Sequence, residues 1–259
     1  MRRYLPELLA VPLYPLLYLQ GKHVRRITPR LPEAGGPAHG TASWPPQGAE
    51  PSPATPVLRL VAIGESPVAG VGVTFHTQAI TAQLAAMLAQ QVEMPVNWQA
   101  VGLNGADLAQ ALQVLVPRLP LPVPPVDVAL IAFGVNDTTS FHSAARYRAE
   151  LAQLITAVRD KLAPAHIILS GVPPMHAFPS LPQPLRFVLG QKARALDRVT
   201  GNLARELADV HYIPMQLDTG EAGLMAVDGY HPSEKGVQRW AQHMEAAMRL
   251  SIGQLGPKK

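Results

Sequence analysis

The sequence predicts an α/β protein with a mainly parallel five-stranded sheet and helices on both faces of that sheet. Two observations carry this prediction. Short apolar runs alternate along the chain with longer segments of helical composition, which is the pattern of βαβ units. The chain also has 259 residues, of which 47% are hydrophobic and 15% charged, and that is enough for one sizeable core.

Five short apolar segments are the predicted strands. They cover residues 58–63, 96–101, 126–134, 166–171 and 211–213. The segments between and after them have helical composition, and prolines end two of them. These predicted helices cover residues 77–91, 106–115, 144–162, 185–209 and 233–250. Ser233 is the expected N-cap of the last helix, because its hydroxyl can accept a free backbone N–H.

Residues 1–31 are predicted to form an apolar arm with basic residues at both ends. Its apolar stretch is about 17 residues long and broken by prolines. A bilayer-spanning helix needs about 20 mostly apolar residues, so a span is not expected. Two interpretations stay open. Either residues 1–30 make a peripheral contact with an anionic membrane surface, or their leucines dock on the body of the domain.

Residues 32–57 are rich in Pro, Gly, Ala and Ser and are predicted to be a flexible linker. The main domain is placed at residues 58–252, followed by a short tail at 253–259. The segment YLQGKHVRR, which follows the apolar stretch within the arm, makes a poor signal-peptide cleavage site. A cytoplasmic or membrane-associated location is therefore favoured over secretion.

The composition argues against several classes of protein. The absence of cysteine excludes disulfides, thiolate metal sites and a cysteine nucleophile. The net charge of +4 is modest and no basic run carries interleaved aromatics, so no nucleic-acid partner is expected. The nine histidines show no metal-binding spacing, and the glycine-rich phosphate and dinucleotide motifs are missing. No metal and no cofactor are expected.

Small and polar residues follow the central predicted strands. Ser66 follows the first strand, Gly105 the second and Asn136 the third, while Asp228 and His231 lie in the segment DGYHP near the C-terminus. Taken singly, each of these segments is an ordinary turn or helix cap. Ligands in open α/β sheets bind at the carboxyl ends of the strands, so the combination predicts one site at that edge.

These residue types supply the parts of a serine nucleophile site. His231 is a candidate base for Ser66, because imidazole titrates near neutral pH. Asp228 lies three residues before His231, and in one tight loop its carboxylate can hold the imidazole in the required tautomer. The Asn136 amide, the Gly105 N–H and the Ser66 N–H are candidate donors to an oxyanion.

With these segments in this order, the chain resembles the SGNH hydrolase superfamily, the GDSL esterases and lipases, over about residues 58–250. The matching blocks are Gly64-Glu65-Ser66, Gly105 in GLNGADL, Gly134-Val135-Asn136-Asp137 and Asp228-Gly229-Tyr230-His231. The resemblance implies a flavodoxin-like three-layer αβα sandwich that hydrolyses carboxylic esters through an acyl-enzyme. Glu65 stands where this family usually has Asp, so it must brace the loop from another rotamer or face solvent.

A proline-rich apolar segment, residues 171–187, follows the fourth predicted strand at the same edge of the sheet. Met175, Phe178 and Leu181 are candidates to line an acyl pocket, or they simply cover the core. The expected substrate is a small-molecule or lipid ester, such as a lysophospholipid. An acyltransferase or carbohydrate acetyl esterase using the same serine, and a non-catalytic binding domain, are the alternatives.

Overall fold

Six strands form the central sheet of the computed structural model, which describes residues 5–44, 56–120, 125–216 and 221–252. The strands are β1 (His39–Ala42), β2 (Leu58–Gly64), β3 (Val96–Gly102), β4 (Val128–Ala132), β5 (His166–Ser170) and β6 (Val210–Ile213). Their order in the sheet is β1-β3-β2-β4-β5-β6. Strands β2 to β6 are parallel and correspond to the five predicted strands, which confirms the α/β fold class.

Helices cover both faces of the sheet and complete the three layers. The regular helices are α1 (Leu5–Ile27), α2 (Ile80–Val92), α3 (Leu108–Gln110), α4 (Val135–Thr139), α5 (Ala144–Leu162), α6 (Leu185–Glu206) and α7 (Glu234–Ile252). A π-helical turn and a 3-10 turn continue α3. Ser233 caps α7 as predicted, since its hydroxyl accepts the N–H of Gly236 at 3.1 Å.

Both faces of the sheet are buried, because alternate side chains of its strands pack into two separate hydrophobic cores. Val61 and Ile63 of β2 belong to the core shared with α1, α3, α5 and α6. Leu60 and Ala62 of the same strand belong to the core shared with α2 and α7. Parallel strands covered on both sides read as continuous apolar runs, which is why the strand pattern was visible in the sequence.

The chain reverses its direction of winding at β2. After β2 it crosses to β3 on one side of the sheet, and after β3 it crosses to β4 on the other side of β2. In the parallel register Gly64 lies beside Gly102 of β3 and beside Ala132 of β4. A crevice opens at the carboxyl ends of strands where the winding reverses, and this places the turn after β2 at the crevice.

The sixth strand, β1, lies inside the segment predicted to be a linker. Residues 39–42 pair antiparallel with β3 at the edge of the sheet, from His39 opposite Gln99 to Ala42 opposite Val96. The four residues HGTA carry no run of apolar side chains, so the strand depends on backbone hydrogen bonds to the exposed edge of β3. Residues 45–55 of the predicted linker lie outside the described residues.

The N-terminal arm is the helix α1, and it docks on the domain. Leu17 and Val24 are buried in the core that α6 shares. Gln20 Nε2 donates to the carbonyl of Gln183 at 2.6 Å, and Gln20 Oε1 accepts the N–H of Leu185 at 3.1 Å. Within the described residues, no helix has both the length and the apolar character that a membrane span requires.

Two leucines of α1 provide a matched test of this docking. Leu17→Ala is expected to lower the free energy of unfolding by about 2–5 kcal/mol, since Leu17 is 7% exposed and its loss leaves a cavity. Leu19→Ala, in the same helix at 62% exposure, is expected to change it by less than about 0.5 kcal/mol. Urea unfolding of both variants measures the difference, and equal effects would contradict the docked position of α1.

Candidate active site

Ser66 lies in the turn that leaves β2 at the crevice. The N–H of Glu65 donates to the carbonyl of Ala132 at 3.1 Å, and the N–H of Val68 returns to the carbonyl of Glu65 at 3.0 Å. The first bond ties the turn to the neighbouring strand β4, and the second closes the turn itself. Ser66 is 6% exposed and lines the cleft described below.

Asp228 and His231 form a tight pair in one loop ahead of α7. Asp228 Oδ2 lies 2.6 Å from His231 Nδ1, and Oδ1 accepts the backbone N–H groups of Tyr230 at 2.9 Å and His231 at 3.0 Å. Burial by itself raises the pKa of Asp228, but these hydrogen bonds outweigh burial and the net pKa lies below its ordinary value. An ionised Asp228 holds the proton on Nδ1 and leaves Nε2 as the basic nitrogen.

A glycine that the sequence analysis did not single out brings these two loops together. Gly72, six residues after Ser66, has a φ of +101°, a conformation that favours glycine. A Cβ added there would lie 2.3 Å from the carbonyl oxygen of Pro232 and 3.3 Å from Cβ of His231. The loop after β2 therefore packs directly against the histidine loop, and any larger residue at position 72 would push the two apart.

Ser66 and His231 line one cleft with about 600 Å³ of empty space. No hydrogen bond joins their side chains among the bonds of the described residues. The lining is mostly apolar: Pro67, Ala132, Phe133, Val135, Gly171, Pro173, Phe178, Met215, Met225, Pro232 and Trp240, with Glu65, Ser66, Ser170, Tyr230 and His231 as its polar members. Such a cleft suits an apolar group attached to a polar reacting centre.

The three candidate acyl-pocket residues have different positions. Phe178 lines the cleft and packs edge-to-face on Tyr230, with ring centroids 5.2 Å apart. Met175 and Leu181 are buried in the core and are not among the residues that line it. The proline-rich segment contributes Gly171, Pro173 and Phe178 to the wall, while Met175 and Leu181 cover the core. Met215, Met225 and Trp240 line the cleft from elements that the sequence analysis did not connect with the site.

Glu65 braces the loop that follows β4. Its Oε1 accepts the N–H of Val135 at 3.0 Å. Its Oε2 accepts both the backbone N–H of Asn136 at 3.1 Å and the Asn136 side-chain amide at 2.6 Å. Of the two outcomes expected for this glutamate, the structure has the buried, bracing one.

The side chain of Asn136 is held on two sides. Besides its bond to Glu65, the amide Nδ2 donates to the carbonyl of Ala106 at 3.1 Å. An amide group has two N–H bonds, and both are used here. Donation to an oxyanion therefore requires Asn136 to give up one of these two acceptors.

The two backbone donors predicted for the oxyanion are unoccupied. Within the described parts of the chain, neither the N–H of Ser66 nor that of Gly105 donates to a protein acceptor. Gly105 has a φ of +81°, and nothing lies within 4 Å of where a Cβ would stand. The approach to this side of Gly105 is open to another molecule.

Burial raises the pKa of Glu65 to about 8, although the hydrogen bonds from Val135 and Asn136 act in the opposite direction. Between its ordinary pKa of 4.5 and about 8, the folded protein holds a proton that the unfolded chain has lost. Raising the pH through this window therefore favours unfolding, by about 1.4 kcal/mol per pH unit for this group, and the effect levels off above the folded pKa.

Glu65→Gln is expected to remove the contribution of Glu65 to the pH dependence of the free energy of unfolding. The free energy of unfolding of the unmodified protein should fall more steeply than that of the variant between about pH 5 and about pH 8. Urea unfolding across this range measures both slopes, and the exposed Glu234→Gln is the control that should keep the original slope. Identical slopes for all three proteins would refute the assignment to Glu65.

One group in the described residues has the chemistry of a metal site. One ligand atom each from Asp137, His142 and Glu150 lies within 4.8 Å of the others. His142 Nδ1 lies 3.0 Å from Asp137 Oδ1, and Arg146 Nε donates to Glu150 at 2.8 Å. Burial raises the pKa of Asp137 to about 6. Asp137 of α4 thus pairs with His142 in the following loop, and Glu150 pairs with Arg146 of its own helix α5.

A model of the GDSL-like lipase/acylhydrolase family matches residues 62–239, a range that contains Ser66, Gly105, Asn136, Asp228 and His231. No curated protein sequence matches. Among solved structures, the chain is similar to TesA, with a TM-score of 0.58 and 22% identity over 74% of this chain and 98% of that one.

Two further solved structures share the fold. The psychrotrophic esterase EstA from Pseudoalteromonas sp., inhibited by monoethylphosphonate, has a TM-score of 0.58 at 17% identity over 76% of this chain and 99% of that one. A GDSL-like lipase from Bacteroides ovatus has a TM-score of 0.52 at 15% identity over 75% of this chain. This chain spans about half the length of the Bacteroides protein, 53% of it.

Proposed function

The chain belongs to the GDSL-like lipase/acylhydrolase family, and from this premise we propose that it is a serine hydrolase that cleaves carboxylic esters through an acyl-enzyme. The observation that supports this most directly is the 2.6 Å pair of Asp228 and His231 beside Ser66 in an apolar cleft. A nucleophile, a base and a group that orients the base are the parts that acyl transfer requires.

The proposed reaction starts with attack of Ser66 Oγ on the ester carbonyl. His231 Nε2 takes the hydroxyl proton and then gives it to the leaving alkoxide, which departs as the alcohol. Asp228 stabilises the imidazolium between these two transfers. Water, activated by the same histidine, then attacks the acyl-enzyme and releases the carboxylic acid and Ser66.

The proposed oxyanion hole consists of the N–H groups of Ser66 and Gly105 and the amide of Asn136. The two backbone donors have no protein acceptor in the described residues, which supports this role. For Asn136, the proposal includes a small shift: its amide leaves Ala106 or Glu65 as negative charge develops on the substrate oxygen. Because the donor is needed only at that stage, its contribution should affect kcat more than KM.

The proposed substrates are esters with an apolar acyl group, including lipid esters. The cleft supports this class, because apolar side chains such as Phe178, Met215 and Trp240 line it, and the acidic and basic side chains among its described lining residues are Glu65 and His231. For residues 1–30 the proposal is contact with a membrane surface, from which lipid esters are reached.

Phosphonate labelling together with an ester panel tests the proposed function. A fluorophosphonate should modify the protein at Ser66, since EstA is a fold relative inhibited by a phosphonate. A panel of p-nitrophenyl esters of increasing acyl length, with an acetylated sugar beside it, measures the preference. Activity confined to the acetylated sugar would support a carbohydrate acetyl esterase instead, and absence of labelling would contradict a serine nucleophile.

A further inference from the structure

The side of α1 that faces away from the domain is apolar. Ten large apolar side chains are exposed in the described part of the chain, and α1 carries six of them: Val11, Tyr14, Leu16, Tyr18, Leu19 and Ile27. Tyr14 and Tyr18 lie one turn apart and stack, with ring centroids 6.2 Å apart. A helix that only docks on a globular domain should carry polar residues on its outer side, so this face is unusual.

Basic residues follow this apolar surface along the same helix. Lys22, Arg25 and Arg26 are exposed in the last turns of α1, and Arg30 is exposed just beyond it. No Asp or Glu occurs from residue 8 to residue 32. None of the four cations makes an ion pair within the residues that the structure describes. The positive charge is therefore available to a partner outside this chain.

The helix lies next to the cleft. Gln20 binds the backbone at Gln183 and Leu185, in the proline-rich segment whose Phe178 lines the cleft. At the basic end of the helix, Arg25 lies close enough to Tyr230 for its charge to act on the phenol, whose pKa burial raises and Arg25 lowers. Tyr230 precedes His231 and lines the cleft, so both contacts place α1 near segments that line this side of the cleft.

We propose that the outer face of α1 is a docking surface for an anionic lipid bilayer, with Tyr14 and Tyr18 entering the interface and Lys22, Arg25 and Arg26 contacting the headgroups. The combination of apolar side chains and unpaired cations on one helix is what such a surface recognises. In this arrangement α1 lies in the plane of the interface, because Leu17 and Val24 on its other side are buried in the core of the domain. Docking in this way brings the cleft beside the layer that holds ester lipids.

The idea that docking brings lipid esters to the cleft rests on the proposed function, whereas the binding of α1 to the bilayer does not depend on it. Co-sedimentation of the full chain with vesicles of phosphatidylcholine alone, or mixed with phosphatidylglycerol, measures binding directly. The protein should sediment with the mixed vesicles, and added salt should release it because exposed charges are screened. Ser66→Ala should bind as the unmodified protein does, even if that serine proves to have no catalytic role.

Two pairs of substitutions test the surface itself. Tyr14→Ser with Tyr18→Ser, and Lys22→Glu with Arg26→Glu, should each lower partitioning to the mixed vesicles by about tenfold or more. Both pairs should keep the hydrolysis rate on a soluble short-chain ester, because they lie on the outer side of α1.

Exposed residues on other elements provide the controls. Leu250→Ser and the pair Arg118→Glu with Arg249→Glu should leave partitioning unchanged, since these side chains are exposed but lie outside α1. Equal sedimentation with neutral vesicles, or none with either kind, would overturn the proposal. A change of oligomeric state in the Tyr14/Tyr18 variant, without a loss of vesicle binding, would instead identify the face as a contact between copies of the chain.

Discussion

Ser66→Ala is expected to reduce ester hydrolysis by on the order of 10⁴-fold or more while the protein stays folded. The substitution removes the proposed nucleophile and leaves the turn after β2 intact, because that turn is held by backbone bonds from Glu65 and Val68. His231→Ala should cause a loss of similar size, since the hydroxyl then has no base. Initial rates with p-nitrophenyl esters measure both variants.

The hydrolysis rate of the double variant Ser66→Ala with His231→Ala shows whether the two residues act as one catalytic unit or contribute independently. Members of a triad act together, so the double variant should lose little beyond either single one. Circular dichroism and thermal melting establish that each variant is folded. A rate near that of the unmodified protein in Ser66→Ala would refute the assignment of the nucleophile.

Asn136→Ala is expected to reduce kcat by about 10²- to 10³-fold, or about 2.7–4 kcal/mol of transition-state stabilisation, with KM little changed. The reason is that the amide is proposed to donate to charge that exists only in the tetrahedral state. In the structure this amide donates to Glu65 and to Ala106. Steady-state kinetics with an ester of measurable KM separates the two constants.

Asn97→Ala is the matched control for this measurement. Asn97 lies at the start of β3, where its side chain accepts from the Thr41 hydroxyl at 2.8 Å, away from the catalytic edge of the sheet. Its loss should leave kcat unchanged. If Asn136→Ala raises KM and leaves kcat intact, then Asn136 binds substrate and the oxyanion role is wrong.

The parts that could be predicted from the sequence are those with a local signature. Apolar runs of strand length, such as residues 58–63, alternate with helical segments, and this pattern is set by burial on both faces of the sheet. The residues of the proposed site were also visible, because small and polar residues interrupt the pattern where strands end. Ser233 was identified as a cap from its position alone, and Gly236 donates to it.

The contacts within the site were not predictable in the same way. Glu65 binds the Asn136 amide across 71 residues, and Gly72 packs on the His231 loop from still farther away. Such contacts depend on the register of β2 against β4 and on loop conformations, which leave no periodic signal. The positive φ of Gly72 is the one local hint, and it is visible only in the folded backbone.

The sequence by itself determined the parallel sheet, its helices and the set of residues at its carboxyl edge. Each of these features has a local signature, because buried elements need apolar residues at regular positions within short stretches of chain. Only the tertiary structure decided the places of residues 5–27 and 39–42. The prolines of the first segment and the polar HGTA of the second contain no pattern that specifies a position. Their positions depend on surfaces formed by distant residues: the apolar side of α6 buries Leu17 and Val24, and the open edge of β3 supplies backbone partners to β1.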